Sequence, residues 1–192
     1  MALRCFIAAE IPDAVKKKIG ETIQALRGTN ADVRWVPEAN LHITLKFLGS
    51  TEESMVETIS DSLKKKIAPG ASFYIKIADI GFFPAGHRPR VIWIGIKDGV
   101  FMGELQKAVD GAMSVLGFPP EDRPFSPHLT IGRVRSGKGT LMLLKKIEEL
   151  QGTDFGDIEI RGITLMKSEL RPSGAEYSSL AEIGLKGRND VE

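Results

Sequence analysis

The chain has 192 residues, of which 42% are hydrophobic and 27% are charged, and these values are ordinary for a globular domain. A formal net charge of +1 does not indicate a protein that coats nucleic acid. The sequence contains no run of about 18 apolar residues, so no membrane-spanning helix is predicted. The single cysteine, Cys5, cannot form an internal disulfide. The opening stretch MALRCFIAAEIPDAVKKK becomes charged too early for a secretory signal, so we expect a cytoplasmic protein.

Apolar spacing along the chain predicts four helices and eight strands. The first helix has the stripe Val15, Ile19, Ile23 and Leu26, and Gly28 closes it. Further helices are predicted over 56–67, 105–116 and 141–150, and the polar stretch STEE at 50–53, which has capping-box spacing, precedes the first of these. The strands are predicted over 3–10, 33–36, 41–48, 72–80, 90–97, 127–134, 157–167 and 176–184.

Two stretches of the chain, NLHITLKFLG at 40–49 and SPHLTIGRV at 126–134, share the pattern His-x-Thr-x with apolar x. Their offset of 86 also aligns Arg4–Ala8 with Arg90–Ile94. The order strand–helix–strand–helix–strand occurs twice along the chain. We therefore predict one α+β domain over 1–192, formed by an internal duplication into two similar lobes. The halves span approximately 1–80 and 88–168, a loop over 81–90 joins them, and a final strand covers 176–184.

The repeated motif places an imidazole and a hydroxyl on the same face of a strand, since side chains alternate. His42 and Thr44 share one face of the first motif strand, and His128 and Thr130 share one face of the second. The apolar residues between them anchor the other face in a core. This pattern, present twice, indicates reactive groups held rigidly rather than two ordinary buried strands.

The histidines could serve three chemical roles. A metal site formed by His42, His87 and His128 is not favoured, because no His-x-His or His-Glu-x-x-His spacing is present. A nucleophilic triad is not favoured, because there is no Gly-x-Ser-x-Gly elbow and Cys5 lacks a local partner pattern. Paired general acid–base catalysis fits best, since imidazole exchanges protons near neutrality.

In-line displacement at phosphorus requires an acid and a base on opposite sides of the phosphate, which two mirrored motifs would supply. The hydroxyls of Thr44 and Thr130 would then bind the non-bridging oxygens. Arg133 is the best candidate for a cationic phosphate ligand, but it reaches the site only if its strand bulges or ends near Gly132. Lys46 shares the predicted face of His42 and offers an alternative charge.

These residues resemble the two-histidine (2H) phosphoesterases, in particular the RNA 2′,3′-cyclic phosphodiesterases formerly called 2′-5′ RNA ligases. The resemblance covers most of the chain, through RCFIAAEIP, RWVPEANLHITLKFLG, PRVIWIGI, FSPHLTIGRV and ELRPSGAEYSSLAEIGL. It implies antiparallel sheets flanked by helices, with the two motif strands facing a central cleft. It also implies hydrolysis of terminal 2′,3′-cyclic phosphates to 2′-phosphates without metal or other cofactor. By motif order, His42 would donate a proton and His128 would accept one from water; the reverse reaction would be 2′-5′ ligation.

Several other residues are candidates for substrate binding. Four aromatic residues offer faces for stacking on a base: Trp35, Phe47, Phe82 and Phe83. Strict alternation, however, places Phe47 on the face of the strand that points away from His42. Tyr177 lies in the segment similar to the last strand of the family. His87, Arg88 and Arg90 form a basic cluster beside the mid-chain loop.

The expected partner is an RNA 3′ end carrying a 2′,3′-cyclic phosphate, such as a tRNA fragment or a short oligonucleotide. No membrane and no obligatory protein partner is expected. Two alternatives stay open: a nucleotide- or RNA-end-binding module with this fold, and a phosphodiesterase for a small cyclic phosphate such as an ADP-ribose derivative.

Overall fold

The computed structural model describes residues 2–86, 88–97, 99–172 and 174–187. The helices in these residues are α1 Asp13–Arg27, α2 Met55–Ile67, α3 Val100–Val115 and α4 Thr140–Glu149, with a 3-10 turn at Glu38–Asn40. The strands are β1 Ala2–Glu10, β2 Val33–Trp35, β3 His42–Glu52, β4 Phe73–Phe83, β5 Val91–Lys97, β6 His128–Val134, β7 Asp154–Ile160, β8 Gly162–Arg171 and β9 Gly174–Gly184. None of the described helices has the length and apolarity needed to cross a membrane.

Most elements lie where the sequence predicted them, although several extend beyond the predicted bounds, as α3 does at Val100. Two differences concern the start of α2 and the strand predicted over 157–167. Helix α2 begins at Met55 and not at the expected capping box, because Thr51 and Glu52 still belong to strand β3. The predicted strand over 157–167 is two strands separated at Arg161, since β7 pairs with β4 whereas β8 pairs with β1. A continuous run of strand-forming residues carries no signal for this change of partner.

One antiparallel sheet contains the described strands, in the order β7-β4-β5-β6-β3-β1-β8-β9, and β2 pairs with β6. This confirms the predicted antiparallel α+β fold. When β1 is exchanged with β5, β3 with β6 and β4 with β8, the inner order β4-β5-β6-β3-β1-β8 is the same order read from the opposite end. Such symmetry supports the duplication, whose sequence bounds remain a prediction. The halves also interleave, because β4 of the first half pairs with β5 and β7 of the second.

The helices bury one face of the sheet and leave the other face open. Helices α2 and α3 contact each other and strand β3, while α1 contacts α4 and β7. Their apolar stripes form one core cluster with the sheet, in which Ile43 and Leu129 have 0% exposure. The histidines next to these two residues therefore point to the opposite, open face.

The two motif strands each carry a β-bulge at the same place. In β3, Thr44 pairs with Ala8 and Lys46 with Ile7, which leaves Leu45 as the extra residue. In β6, Thr130 pairs with Trp93 and Gly132 with Ile92, which leaves Ile131 as the extra residue. Leu45 and Ile131 are 86 residues apart, the same offset as the two motifs.

The partner strands do not follow that offset. Ala8 and Trp93 are structural equivalents, since each lies opposite the threonine of its motif. The predicted alignment of Ala8 with Ile94 is therefore wrong by one residue. Because Cys5–Ala9 are all buried, this strand lacks the alternation of apolar and polar residues that would fix its register.

The bulge also turns Lys46 away from the histidines, so its predicted place beside His42 is wrong. Its side chain is buried on the helix side of the sheet, with the residue 4% exposed. The ammonium donates to a carboxylate oxygen of Asp110 in α3 and, over 2.7 Å, to the carbonyl oxygen of Pro119. Asp110 in turn accepts a bond from the backbone N–H of Glu121. The ion pair thus fixes the loop that leads to the second motif.

Replacing Asp110 by alanine should strongly destabilise the protein, because Lys46 would keep a buried charge without its carboxylate. We expect a loss of about 3 kcal/mol in the free energy of unfolding, measured by urea denaturation. The double variant Lys46→Met/Asp110→Leu removes both charges and should lose less. An Asp110→Ala protein that unfolds at the wild-type urea midpoint would contradict this interpretation of the ion pair.

Candidate active site

The two motifs meet where β3 and β6 pair, at the centre of the sheet. Ile43 lies directly opposite Leu129 in this antiparallel pair. Continuing this antiparallel register by one residue brings His42 toward Thr130 and Thr44 toward His128, and all four side chains share the open face. Two separated sequence motifs thus form one compact group of two imidazoles and two hydroxyls.

The imidazoles are oriented in the same way. Nδ1 of His42 lies 2.7 Å from the carbonyl oxygen of Asn40, and Nδ1 of His128 lies 2.7 Å from that of Ser126. A carbonyl oxygen only accepts, so both Nδ1 atoms carry the proton. In the neutral ring Nε2 is then the basic nitrogen, and that of His42 lies 3.0 Å from the hydroxyl of Thr44. Both rings therefore offer Nε2 for proton transfer.

Aromatic side chains enclose His42. The ring of Phe6 lies 4.8 Å from the imidazole between centroids, and Tyr177 of β9 contacts it edge-on at 5.4 Å. Burial lowers the pKa of His42 below its ordinary value of 6.5, and the positive charge of Lys16 lowers it further, against the hydrogen bond to Asn40. The unfolded chain therefore binds this proton more tightly, so His42 opposes folding as the pH falls through about 6.5.

His128 has a different aromatic neighbour. Phe83, at the end of β4, contacts its ring edge-on at 5.5 Å between centroids and also packs against Trp93 at 5.2 Å. Phe83 is 38% exposed, so its ring borders the open face, as a base-stacking residue would.

The bulges bring Arg133 and Phe47 to the open face. Arg133 lies opposite Val91, which lies opposite Phe83, and directly opposed residues share a face. Arg133 is exposed, so the bulge near Gly132 on which its role depended is present. At the equivalent position of the first motif Phe47 is 63% exposed and lies 6.1 Å from Phe6. The expectation that Phe47 and His42 lie on opposite faces of the strand is therefore wrong.

Other predicted substrate residues lie elsewhere. Trp35 is on the core side of β2, where its ring covers Gly132 so closely that a Cβ there would lie 3.0 Å from it. Phe82 also packs against the core. Tyr177 lies against His42, beside the cleft, as expected. His87 lies outside the described residues, and Arg88 and Arg90 are exposed in the β4–β5 connection.

Asn40 was not singled out from the sequence, although it precedes His42 by two residues as Ser126 precedes His128. Its carbonyl holds the imidazole, and its side-chain amide donates to the carbonyl oxygen of Ala175 over 2.7 Å. Asn40 therefore ties strand β9, and with it Tyr177, to the first histidine. The repeated spacing of two residues before each histidine was the available signal.

Metal ligands do not cluster at this site. Among the residues that the structure describes, no group of three or more His, Cys, Asp or Glu side chains is arranged to hold an ion. The chemical groups gathered on the open face are instead two imidazoles, two hydroxyls and a guanidinium, a set that can move protons and bind an anion.

An antiparallel α+β fold whose paired His-x-Thr motifs share one face defines a two-histidine phosphoesterase. The chain matches the family model LigT like Phosphoesterase over residues 10–93 and 102–177. It therefore belongs to the LigT-like phosphoesterase family, which confirms the resemblance seen in the sequence.

The similarity to named relatives extends over nearly the whole chain. The RNA 2′,3′-cyclic phosphodiesterase of Methanocaldococcus jannaschii is 37% identical over 180 residues, covering 94% of this chain and 99% of that protein. The protein of the same name from Thermotoga maritima is 32% identical over 187 residues, covering 96% and 97%.

Solved structures share the fold. The crystal structure of TT0787 of Thermus thermophilus has a TM-score of 0.81 at 25% identity and covers 97% of this chain and 100% of that one. Escherichia coli LigT complexed with 3′-AMP has a TM-score of 0.76 at 22% identity, with 97% and 99% coverage. The second likeness concerns the fold alone.

Replacing Asn40 by alanine should raise the pKa of His42 toward 6.5, because β9 would no longer be tied against the ring and water would reach it. Histidine titration by NMR measures this. Ser126→Ala is the matched control, since it keeps the equivalent carbonyl at the second motif, and it should leave the titration of His42 unchanged. The same His42 pKa in Asn40→Ala and wild-type protein would refute this positioning role.

Proposed function

We propose that this protein hydrolyses terminal 2′,3′-cyclic phosphates of RNA to 2′-phosphates. The observation that carries the proposal is the matched pair His42 and His128, each with Nδ1 held by a carbonyl at 2.7 Å and both on one face of the sheet. The relatives named RNA 2′,3′-cyclic phosphodiesterase support the choice of substrate. Intact acid–base groups in both motifs favour an enzyme over a binding module.

The reaction divides between the two Nε2 atoms. Water attacks phosphorus while neutral His128 takes its proton, and a new P–O bond forms. The bond from phosphorus to the 3′ oxygen breaks, and protonated His42 supplies the proton to that oxygen. The product carries a 2′-phosphate and a 3′-hydroxyl. The assignment of donor and acceptor follows the order of the family's motifs.

Charge that gathers on the non-bridging oxygens needs hydrogen-bond donors. The hydroxyls of Thr44 and Thr130 lie beside the histidines on the same face, and we assign them to these oxygens. Arg133, brought to that face by its bulge, supplies the positive charge, since a guanidinium matches phosphate in a bidentate way.

The same groups acting in reverse would join a cyclic end to a 5′-hydroxyl and give a 2′-5′ linkage. We propose that the forward reaction needs no metal and no protein partner. Its substrates would be short RNA ends such as tRNA fragments. A small cyclic phosphate remains the competing substrate.

The primary test is incubation of the protein with an oligonucleotide that ends in a 2′,3′-cyclic phosphate, with and without EDTA. We expect a 2′-phosphate product at the same rate in both, identified by chromatography against synthetic standards. Turnover lost on chelation would refute the metal-independent mechanism. No turnover, combined with retained binding, would favour the recognition module.

Alanine variants of the two histidines test the division of labour. Each variant should have a kcat about 10²–10⁴-fold below that of the wild type, which is the usual contribution of general acid–base catalysis. An unchanged thermal melting temperature would show that the fold is intact. With a substrate whose leaving 3′ oxygen is replaced by sulfur, His42→Ala should recover most of the rate, because a thiolate leaves without a proton. His128→Ala should not recover. Full activity of His128→Ala, or rescue of the wrong variant, would overturn the assignment.

A further inference from the structure

Arg34 lies directly opposite Arg133 in the pairing of β2 with β6. Both residues are exposed. Like charges placed directly opposite each other on neighbouring strands repel and weaken the pairing. Strand β2 has only three residues, Val33–Trp35, so such a repulsion falls on a short element with few ladder bonds to offset it.

The two guanidinium side chains lie on the face of the histidines. A continuous row of directly opposed residues crosses four strands, from Phe83 to Val91, Arg133 and Arg34. Opposed residues of an antiparallel sheet share a face, and Phe83 at one end of the row contacts the ring of His128. On the other face of β2, Trp35 packs against the core. Arg34 therefore extends the open face beyond Arg133.

A two-stranded ribbon, defined as 168–171 with 174–177, approaches Arg34 from across the cleft. The pairing of strand β8 with β1 ends at Lys167. Beyond that residue, β8 and β9 pair only with each other. Asn40 ties the ribbon at Ala175. A Cβ placed on Gly174 would lie 3.6 Å from Nη2 of Arg34. The guanidinium thus lies between the sheet and the ribbon.

Neither guanidinium has an acidic partner within the described part of the chain, where ten ion pairs join other residues. An anion between or beside the two would remove their repulsion and accept bidentate bonds. Arg133 follows Thr130 by three residues, about 10 Å or less along a strand, and so serves the reacting phosphate. Arg34, one strand farther out, is placed for a second phosphate.

We infer that Arg34 binds a second phosphate of the substrate, next to the one that is hydrolysed. This inference rests on the proposed function and specifies its substrate class. In an RNA end, the second phosphate joins the terminal nucleotide to the one before it. A nucleoside 2′,3′-cyclic phosphate with a free 5′-hydroxyl lacks it. The site therefore prefers an RNA chain to a single nucleoside cyclic phosphate.

The test compares kcat/KM for two substrates: a nucleoside 2′,3′-cyclic phosphate, and a dinucleotide that ends in the same nucleoside 2′,3′-cyclic phosphate. Arg34→Gln should lower kcat/KM for the dinucleotide about 10-fold, the effect of one charge-assisted hydrogen bond, mainly through KM. The single nucleoside should be unaffected. Raising the salt concentration should weaken dinucleotide turnover less steeply in the variant, by about 0.7 in the logarithmic slope for one phosphate on a single strand.

Arg27→Gln is the matched control, because it removes the same charge from an exposed arginine at the end of α1, on the helix-covered side. It should leave the ratio of the two substrates unchanged, and Arg34→Lys should restore part of the preference. A nucleoside cyclic phosphate carrying a 5′-monophosphate tests whether any second phosphate suffices, and Arg34→Gln should lower its turnover too. The inference is overturned if Arg34→Gln lowers kcat/KM equally for the dinucleotide and for the 5′-hydroxyl nucleoside cyclic phosphate, or lowers it for neither. Absence of wild-type turnover on every substrate instead overturns the proposed function.

Discussion

The pairing of Ile43 with Leu129 is the contact on which the site depends. Both side chains are fully buried under the helices, so the residues on either side of each are forced to the open face. Antiparallel pairing of these two residues then brings each histidine toward the threonine of the other motif. Neither strand could shift by one residue without exposing its apolar side chains and burying its imidazole. The core therefore holds the site in register.

The matched bulges add a second constraint, because one extra residue in each strand changes the face of the residues that directly follow it. They bury Lys46 against Asp110 and bring Phe47 to the open face in the first motif. In the second motif the same step leaves Gly132 under Trp35 and exposes Arg133. Equivalent positions thus present an aromatic ring in the first motif and a cation in the second. A symmetric scaffold acquires polarity in this way.

Each histidine makes an equivalent hydrogen bond to a backbone carbonyl oxygen, but the two rings differ in their surroundings. Phe6 and Tyr177 bury His42, and this burial lowers its pKa. A depressed pKa makes a protonated imidazole a stronger acid, which suits transfer to a poor leaving group, yet it also reduces the protonated population at neutral pH. In the proposed reaction, an anionic phosphate bound next to the ring would favour the protonated form and compensate for that loss. Asn40 links these effects, since it orients the ring and holds the strand that encloses it.

The sequence by itself determined the fold class, the equivalence of the two motifs and the four central residues. Period-two alternation around buried apolar residues is a local property, and it was enough to place His42 with Thr44 and His128 with Thr130. Only the tertiary structure decided the positions of Lys46 and Phe47, because a bulge shows itself in the pairing with another strand and leaves no mark in the alternation. It also decided the position of Trp35, because the core-facing side of the short strand β2 is set by its pairing with β6. The same holds for the register of β1, whose buried run is apolar on both faces, and for Arg34, whose opposition to Arg133 exists only once β2 and β6 pair.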